Sequence, residues 1–443
     1  MTEPVIHVSP EQPGGLPDGA PRKRPLSERL PALGTGAIAA VVFAHLACDL
    51  FPGYSAPLLR HLKEDWELSR LETALLTVPV SAVIMLQPVI GLAADRMRTR
   101  AFVVVGLAMS ALGYGALLPV ASLQPEHIGY WLAMLGMWMG GVGVAAYHPQ
   151  GAALTGRAGQ TGSGRGGVAL FVFAGTVGYG AGLFVPPLFI EPGYAGWVPC
   201  LTALAVAALI SQLFVPRLRP AGEALRRPPV GEVLGEFWSE VRPVFGQLLI
   251  YWLMVVLRGV TLISFNYFVS IYYRESLGLS SLAGAGIVAG FFMSQALVGP
   301  LVARAADRFG ERLLLLISFL GGGVLMAAAL FASLHGRGIA SYAMLLAGGG
   351  LLGGSVPLNV AAGQRLLKRS AAMASGIMIG FAWGTGGLLV PLMARIGDHY
   401  NSTAVMLGSA LVLTIPGALL CLFIPGREDS GEGRPESLAR EVR

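Results

Sequence analysis

Charged residues are scarce in this chain of 443 residues. Asp, Glu, Lys and Arg together make up 13% of the sequence, about half of the quarter that is usual for a soluble domain. Apolar residues account for 54%, and the mean hydropathy is +0.64. Apolar runs of roughly 20 residues recur along the whole length, each long enough to cross about 30 Å of hydrocarbon as a helix. This composition indicates an integral membrane protein.

Cysteine is equally rare, and several enzyme signatures are missing. Cys48, Cys200 and Cys421 stand singly in or at the ends of apolar runs, without the paired spacing of a metal or disulfide framework. The sequence also lacks a Gly-Lys-Ser phosphate loop and a nucleophile elbow. These absences exclude ATP hydrolysis and argue against an enzyme, and the sequence predicts neither a cofactor nor a metal.

Twelve apolar segments predict an all-α membrane protein with twelve transmembrane helices in two pseudo-symmetric six-helix bundles. The predicted spans are 33–56, 72–92, 102–120, 128–149, 167–190, 196–215, 244–271, 282–303, 312–334, 339–360, 372–394 and 403–424. The predicted organisation is a cytoplasmic tail (1–31), an N-terminal bundle (32–215), a connector (216–243), a C-terminal bundle (244–424) and a second tail (425–443). The first apolar run is too long for a cleaved signal peptide, so we interpret it as the first helix.

Lys and Arg are divided unequally between the two sides of the predicted membrane. With twelve spans both tails share one side, and that side carries 24 of the 31 Lys and Arg residues, against 6 on the other. The positive-inside rule then places both termini in the cytoplasm, at a bacterial inner (plasma) membrane. Because the basic residues are spread over short loops, the net charge of +6 does not indicate nucleic acid binding. The expected partners are a small-molecule substrate, protons and the lipid bilayer, and the chain is expected to be a monomer.

A charged decapeptide occurs twice. Residues 91–100 read GLAADRMRTR and residues 303–312 read ARAADRFGER, 212 positions apart, each in the turn after the second helix of a half. Span five (FVFAGTVGYGAGLFVPP) and span eleven (GFAWGTGGLLVPL) form a second related pair. Two such matches indicate that the halves are internal repeats, as in many secondary transporters.

The turn Gly91-x-x-x-Asp95-Arg96, echoed in the second half, resembles the signature of the major facilitator superfamily, although Arg98 stands where the family usually has Gly. The resemblance implies the twelve-helix transporter fold. Asp95 can accept hydrogen bonds from a neighbouring helix, and the arginines can pair across the seam between the halves, as a latch that holds the outward-facing state. The alternative is that these charges only anchor cytoplasmic loops. The predicted gating residues are Gly91, Asp95, Arg96, Arg100, Asp307, Arg308 and Arg312.

Three further stretches resemble the fosmidomycin-resistance group of proton-coupled drug exporters. They are AHLACDLFPGYSAPLL in span one, YHPQGAALTGRAG at the end of span four, and SGIMIGFAWGTGGLLVPL in span eleven. The resemblance implies an antiporter that acts in drug efflux and drug resistance. The chain departs from that group at Gln150, where Glu is usual after His-Pro.

Ionisable residues inside the spans need a reason, because each costs at least about 2.5–3.5 kcal/mol at mid-bilayer. His45 and Asp49 lie one turn apart on span one, His148 ends span four, and Arg258 lies in span seven. The repeat offset of 212 aligns Arg258 with Leu46. We therefore expect His45, Asp49 and Arg258 to converge near the midplane.

Such a cluster is suited to exchange. Arg258 can attract an anionic substrate or Asp49, while Asp49 or His45 can take up a proton. Structural roles stay open for each: His45 and His148 as packing residues, Asp49 as a wetted residue near the outer surface, and Arg258 as a buried strut. The predicted substrate- and proton-binding residues are His45, Asp49, His148, Gln150, Arg258, Asn266, Tyr251 and Trp383.

These features favour a secondary active transporter that couples the export of small amphipathic or anionic compounds to protons. One alternative is a proton-coupled importer of an organic acid, because the sequence does not give the direction of transport. A second is a non-transporting receptor or lipid-handling protein on the same fold. The short loops, the lack of an appended domain and the repeated gating turn argue against this second alternative.

Overall fold

The computed structural model describes residues 35–90, 101–121, 126–158, 164–185, 188, 197–215, 230–367 and 371–424, with some side chains in these ranges excepted. The described chain is almost wholly helical. Its α-helices are α1 (Thr35–Gly53), α2 (Ser55–Asp65), α3 (Arg70–Leu75), α4 (Val78–Ile84), α5 (Ala101–Val120), α6 (Glu126–Ala158), α7 (Gly164–Gly182), α8 (Trp197–Ser211), α9 (Val230–Val241), α10 (Phe245–Leu277), α11 (Ser281–Phe309), α12 (Glu311–Leu334), α13 (Gly338–Gly354), α14 (Val356–Leu366), α15 (Ala371–Gly376), α16 (Ala382–His399), α17 (Thr403–Val412) and α18 (Thr414–Leu420).

The helices correspond to the twelve predicted spans. Among the described residues, ten helical stretches are long and apolar enough to cross a membrane, and a shorter apolar one covers Leu201–Phe214, at span six. Helix α7 occupies the place of span five. The all-helical fold class is thereby confirmed. The predicted tails at 1–31 and 425–443, and most of the connector, lie outside the described residues.

The helix boundaries differ from the predicted spans in two ways. Helix α10 runs on to Leu277 and ends at Gly278, whose φ of 65° is the left-handed conformation that terminates many helices. Spans one and two are each divided, between α1 and α2 after Pro52 and between α3 and α4 before Pro79. Proline has no N–H for the helical ladder, so it favours such breaks.

Buried apolar side chains form two clusters, one in each half of the sequence. The first lies between Ala37 and Val215, and the second lies mainly between Val241 and Ile424. Tyr267 packs against both clusters. Large apolar side chains such as Trp131 and Phe331 are about two thirds exposed (66% and 65%), as lipid-facing residues of membrane helices are.

The two halves meet along a seam between spans two and eleven. At Gly380 an added Cβ would meet Gln87, and at Gly384 it would meet Met85. A π-helical turn, Ile377–Phe381, falls in the same stretch; such turns are frequent at functional sites. Small residues thus bring the two spans close together across the seam. We call the end of the bundle where α1 begins the near end and the opposite end the far end.

Spans three and four also approach through glycine. Gly113 on α5 faces the backbone of Gly136 and Gly140 on α6, and an added Cβ would overlap these backbone atoms. Gly115, on the same helix, has no atom of the described residues within 4 Å of an added Cβ. Close backbone approach of this kind is a common way to pack membrane helices, because lipid supplies no hydrophobic drive between them.

Gly113→Ala is expected to destabilise the protein, because the helix backbone of α6 cannot rotate away from the new methyl group. We expect a loss of about 1–3 kcal/mol, which is typical of overpacking. Thermal unfolding of the purified protein in detergent measures the effect. Gly115→Ala is the matched control and should leave Tm unchanged or raised. Equal Tm values for the two variants would contradict this account of the packing.

Candidate functional site

Three ionisable side chains meet inside the first half, and we call them the His–Asp–His triad. His45 and Asp49 lie on α1, and His148 lies on α6. The two Nε2 atoms are 3.1 Å apart, and each lies 3.2 Å from a carboxylate oxygen of Asp49. The side chains of His45, Asp49 and His148 are 4%, 15% and 28% exposed. The triad is therefore most accessible at His148.

Backbone carbonyls fix the hydrogen positions of both imidazoles. Nδ1 of His45 lies 2.6 Å from the carbonyl oxygen of Phe171, and Nδ1 of His148 lies 2.8 Å from that of Val144. A carbonyl oxygen only accepts hydrogen bonds, so each Nδ1 carries a hydrogen and, in the neutral ring, each Nε2 presents a lone pair. Among the described residues, the two lone pairs and the Asp49 carboxylate therefore face one another without a donor.

Helix α7 closes the triad on a third side. The ring of Phe171 stacks on the imidazole of His45, with 3.6 Å between the ring centroids. One turn further along, Gly175 stands where any side chain would meet both the His45 imidazole and the Asp49 carboxylate. The absence of a side chain at this position allows α7 to pack directly against the triad.

The triad is suited to binding a proton. Its three acceptor atoms lie within 4.8 Å of one another, a spacing that suits a small cation. Acceptors gathered without a donor in a low-dielectric interior are costly, because none of them is compensated. One added proton turns an imidazole into a donor on both sides and balances the carboxylate charge.

Arg258 does not join the triad, and the predicted convergence is wrong in this respect. The side chain is fully buried in the second half, where Nη1 donates to Ser355 Oγ at 2.9 Å and to Asn359 Oδ1 at 3.0 Å. In the repeat alignment Arg258 corresponds to Leu46 and not to His45. A difference of one residue turns the direction of a helical side chain by about 100°. Aligned positions on repeated helices can therefore face different neighbours.

The other predicted substrate residues have contacts with groups outside the triad. Gln150 accepts a hydrogen bond from a backbone N–H of α5 at 3.0 Å. Asn266 donates to the hydroxyl of Tyr179 at 2.7 Å, which is a contact between the two halves. Tyr251 belongs to the buried cluster of the second half, and Trp383 packs against it.

The repeated turn falls largely outside the described residues. This holds for Gly91, Asp95, Arg96 and Arg100, and for the side chain of Asp307. In the second copy Arg308 is exposed and lies over the ring of Phe309, with 5.3 Å from Cζ to the ring centroid. Arg312, in the first turn of α12, is partly buried.

A polar network that the sequence did not predict joins the halves at the far end. Asp398, near the end of α16, accepts hydrogen bonds from the N–H groups of Arg70 and Leu71, at 2.8 and 2.7 Å. These are the first two N–H groups of α3, which have no acceptor within their own helix. The positive end of the helix dipole also favours the carboxylate. The guanidinium of Arg70 donates to Thr403 and Asn401.

Further polar contacts support the same closure. Arg274 lies 3.1 Å from the carboxylate of Glu64, and Arg60 donates to the hydroxyl of Ser281. The far end of the seam is thus held shut by groups from both halves, which we call the far-end clamp.

Ser69 and Glu72 form a capping box, the one local sequence signal for the start of α3. Asp398 lies 328 residues away from Arg70, so no local pattern pairs them.

Asp398→Ala is expected to shift the protein towards a conformation that is open at the far end. Hydrogen bonds to a charged group are worth about 1.5–3 kcal/mol each, so the population should shift at least tenfold. Spin labels at the exposed positions 67 and 339, one in each half, report the far-end distance. The control is Asp65→Ala, which removes an ion pair with His61 within α2. An unchanged distance distribution in Asp398→Ala would overturn the role of the clamp.

Comparison with known proteins finds relatives along most of the chain. The profile of the Major Facilitator Superfamily matches residues 38–391. The Fosmidomycin resistance protein of Escherichia coli (strain K12) is 22% identical over 404 residues, which cover 88% of this chain and 93% of that protein. The uncharacterized MFS-type transporter YfnC of Bacillus subtilis (strain 168) is 24% identical over 347 residues, 77% of this chain and 80% of that protein.

Solved structures share the fold at low sequence identity. The nucleoside transporter NupG superposes with a TM-score of 0.67 and 12% identity, over 88% of this chain and 98% of that chain. A D-xylose-proton symporter superposes with a TM-score of 0.65 and 16% identity, again over 88% and 98%. At this level of identity the likeness establishes the architecture and not the substrate.

Proposed function

The chain belongs to the Major Facilitator Superfamily, and from this premise we propose that it exports small amphipathic compounds in exchange for protons by alternating access. The observation that carries the proposal is the His–Asp–His triad, whose three acceptors face one another at 3.1–3.2 Å. The likeness to the Fosmidomycin resistance protein supports efflux as the direction. The protein is a membrane transporter by family and not an enzyme.

The proton step uses the triad alone. With one proton the triad has an imidazolium beside a carboxylate, and its net charge is zero. Without the proton its net charge is −1, which an interior of low dielectric disfavours unless water or a substrate group donates hydrogen bonds. A substrate that brings its own donors to the Nε2 atoms and the carboxylate therefore replaces the proton. Mutual exclusion of this kind is what exchange requires.

Helix α7 connects the triad with a contact between the two halves. Gly175 packs against His45 and Asp49, and Tyr179 lies one turn further along the same face of α7. Tyr179 accepts a hydrogen bond from Asn266 and stacks on Phe292, with 4.4 Å between the ring centroids. The residue of α7 that packs against the triad is thus one helical turn from a contact between the halves. That contact must change when the halves move relative to each other.

The geometry favours amphipathic over anionic substrates. A deprotonated triad repels an anion, and Arg258, in the middle of span seven, is fully buried among second-half residues. A hydroxyl-, amide- or amine-bearing compound with an apolar body matches both the acceptors and the neighbouring aromatic rings. Anionic compounds remain the second candidate class, to be included in the same assays.

Import is the alternative direction within transport. A D-xylose-proton symporter has the same architecture, and the fold serves both directions. Proteoliposomes with an imposed pH gradient of either sign distinguish the two. Exchange predicts uphill movement of the compound against the proton flow, whereas a proton-coupled importer of an organic acid moves the compound with it.

We place the two bundles at 32–215 and 244–424, and both termini in the cytoplasm of a bacterial inner membrane. The support is the asymmetry of 24 to 6 in Lys and Arg between the two sides. On this orientation the near end is cytoplasmic and the far-end clamp is extracytoplasmic. The expected assembly is a monomer.

Asp49→Asn is expected to abolish uphill transport driven by a pH gradient while leaving downhill counterflow within a few-fold, because the amide still accepts and donates hydrogen bonds but takes up no proton. Counterflow and gradient-driven uptake into proteoliposomes, with a panel of amphipathic and anionic compounds, separate the two activities. Asp65→Asn is the matched control, since Asp65 also lies four residues after a histidine, His61, but outside the triad. Equal loss of both activities in a folded Asp49→Asn protein would assign Asp49 a structural role.

The repeated turn is proposed as a near-end latch, opposite the far-end clamp. Asp95→Asn should slow turnover strongly while leaving substrate affinity within a few-fold, because the turn is predicted at the cytoplasmic surface, whereas the triad lies within the spans. Asp307→Asn should be milder, because Ala303 already replaces the first glycine in the second copy. Rates and dissociation constants measured on the same preparations test this, and normal turnover in Asp95→Asn would remove the latch.

A further inference from the structure

The three acceptor groups of the His–Asp–His triad have the chemistry and the spacing of a metal site. Two imidazoles and one carboxylate are ligands that zinc and other divalent transition metals prefer. The Nε2 atoms of His45 and His148 are 3.1 Å apart, and each lies 3.2 Å from a carboxylate oxygen of Asp49. Two ligands that are each about 2.0–2.1 Å from a tetrahedral zinc ion lie roughly 3.3 Å from one another. The ligand atoms therefore already have close to the separation that one shared ion imposes, and an ion between them needs no separate cavity.

The hydrogen bonds behind the two imidazoles hold both rings in the form that binds a metal. Nδ1 of His45 donates to the carbonyl of Phe171, and Nδ1 of His148 donates to that of Val144. Histidines that bind metals almost always donate their other ring N–H to a carbonyl or a carboxylate, which leaves the lone pair of the remaining nitrogen to the ion. The ring of Phe171, stacked on His45, further fixes the orientation of that imidazole. The two Nε2 atoms are thus preorganised as ligands.

The internal repeat indicates that the fold does not require the triad. His45 and Asp49 lie four residues apart on α1, and α6 supplies the third ligand. The repeat offset of 212 aligns the triad with three second-half residues that offer neither an imidazole nor a carboxylate, Leu257, Thr261 and Val360. The equivalent helices of the second half therefore pack without such a cluster, so the triad has a role beyond packing.

The triad has an accessible edge and an acceptor that is not satisfied. The side chains of His148 and Asp49 are 28% and 15% exposed, so an ion can reach them. Oδ1 of Asp49 accepts no hydrogen bond from the described residues. Zinc sites with three protein ligands keep a fourth position for water or another small ligand. An ion at the triad satisfies the carboxylate and leaves its fourth position to the accessible edge.

We propose that the triad binds one divalent transition-metal ion of the zinc type, with Nε2 of His45, Nε2 of His148 and the carboxylate of Asp49 as its ligands. The binding of the ion goes beyond the exchange proposed above and does not depend on transport. One consequence does rest on the proposed function: an ion on all three acceptors leaves none for a proton or for a donor of the compound, so zinc inhibits exchange. Mg²⁺ prefers oxygen ligands in octahedral geometry and should not bind.

The first test is metal binding by the purified full-length protein in detergent, prepared without a polyhistidine tag and freed of metal with a chelator. Isothermal titration with zinc chloride should give one ion per chain, whereas magnesium chloride should give no binding. Cobalt(II) should give the visible absorption of an ion with four or five ligands, which is stronger than that of the hydrated ion. A lack of stoichiometric zinc binding, or cobalt that keeps the spectrum of its hydrate, would overturn the site.

Variants assign the binding to the triad. His45→Gln and His148→Gln should each weaken zinc affinity by at least about a hundredfold, because loss of an outer-shell partner alone costs about 10–100-fold. His61→Gln is the matched control, since His61 also lies four residues before an aspartate, Asp65, but outside the triad. It should keep the affinity of the wild type. Zinc X-ray absorption of the wild-type protein counts the imidazole ligands without any variant. Unchanged affinity in both triad variants, or fewer than two imidazoles on the ion, would contradict the proposal.

Counterflow in proteoliposomes separates the metal site from the proposed function. Zinc at a few times its dissociation constant should inhibit counterflow by the wild type, and a chelator should restore it. A protein that transports but binds no zinc would lack the metal site and could still exchange protons. A protein that binds zinc at the triad and transports at an undiminished rate would contradict the use of the triad in exchange.

Discussion

The carboxylate of Asp49 is held between two imidazole nitrogens, each 3.2 Å away, and the arrangement of the first half depends on this contact. In hydrocarbon no water relieves a buried charge, so the carboxylate must find its complement inside the protein. Helices α1 and α6 supply the imidazoles, and α7 supplies the carbonyl that fixes one of them. The packing of these three helices would therefore respond to the proton that we propose the triad binds.

The two halves bury opposite kinds of polar group inside the membrane. In the first half acceptors converge, so the group that completes the site carries positive charge. In the second half Arg258 and Asn359 present hydrogen-bond donors, and three of these have no acceptor among the described residues. The two sites lie on helices that correspond in the repeat. A duplicated scaffold has kept its helix positions while the residues at equivalent places diverged, which is how a symmetric fold acquires an asymmetric function.

The two halves contact each other along the seam. Glycines on span eleven allow it to lie against span two, and the far-end clamp adds polar contacts that open only if several hydrogen bonds break together. The contact between the Asp398 carboxylate and the start of α3 is strong for a single side chain. The carboxylate accepts from two N–H groups that have no partner within their helix, and it also lies at the positive end of the helix dipole. On the proposed alternating access, the glycine packing would let the halves rock against each other, and the clamp would keep the far end closed. The triad lies between, one turn from the contact of Tyr179 with Asn266.

The sequence by itself determined the family, the twelve spans, the internal repeat and the residues that had to be explained, His45, Asp49, His148 and Arg258. It did so because the thickness of the bilayer sets the length of an apolar run and because hydrocarbon makes each ionisable residue conspicuous. Only the tertiary structure decided the partner of each residue. His148 completes the triad although it is 103 residues from His45, and Asp398 caps a helix that begins 328 residues earlier. Arg258 faces its own half because it aligns with Leu46 and not with His45, and a shift of one residue turns a helical side chain by about 100°.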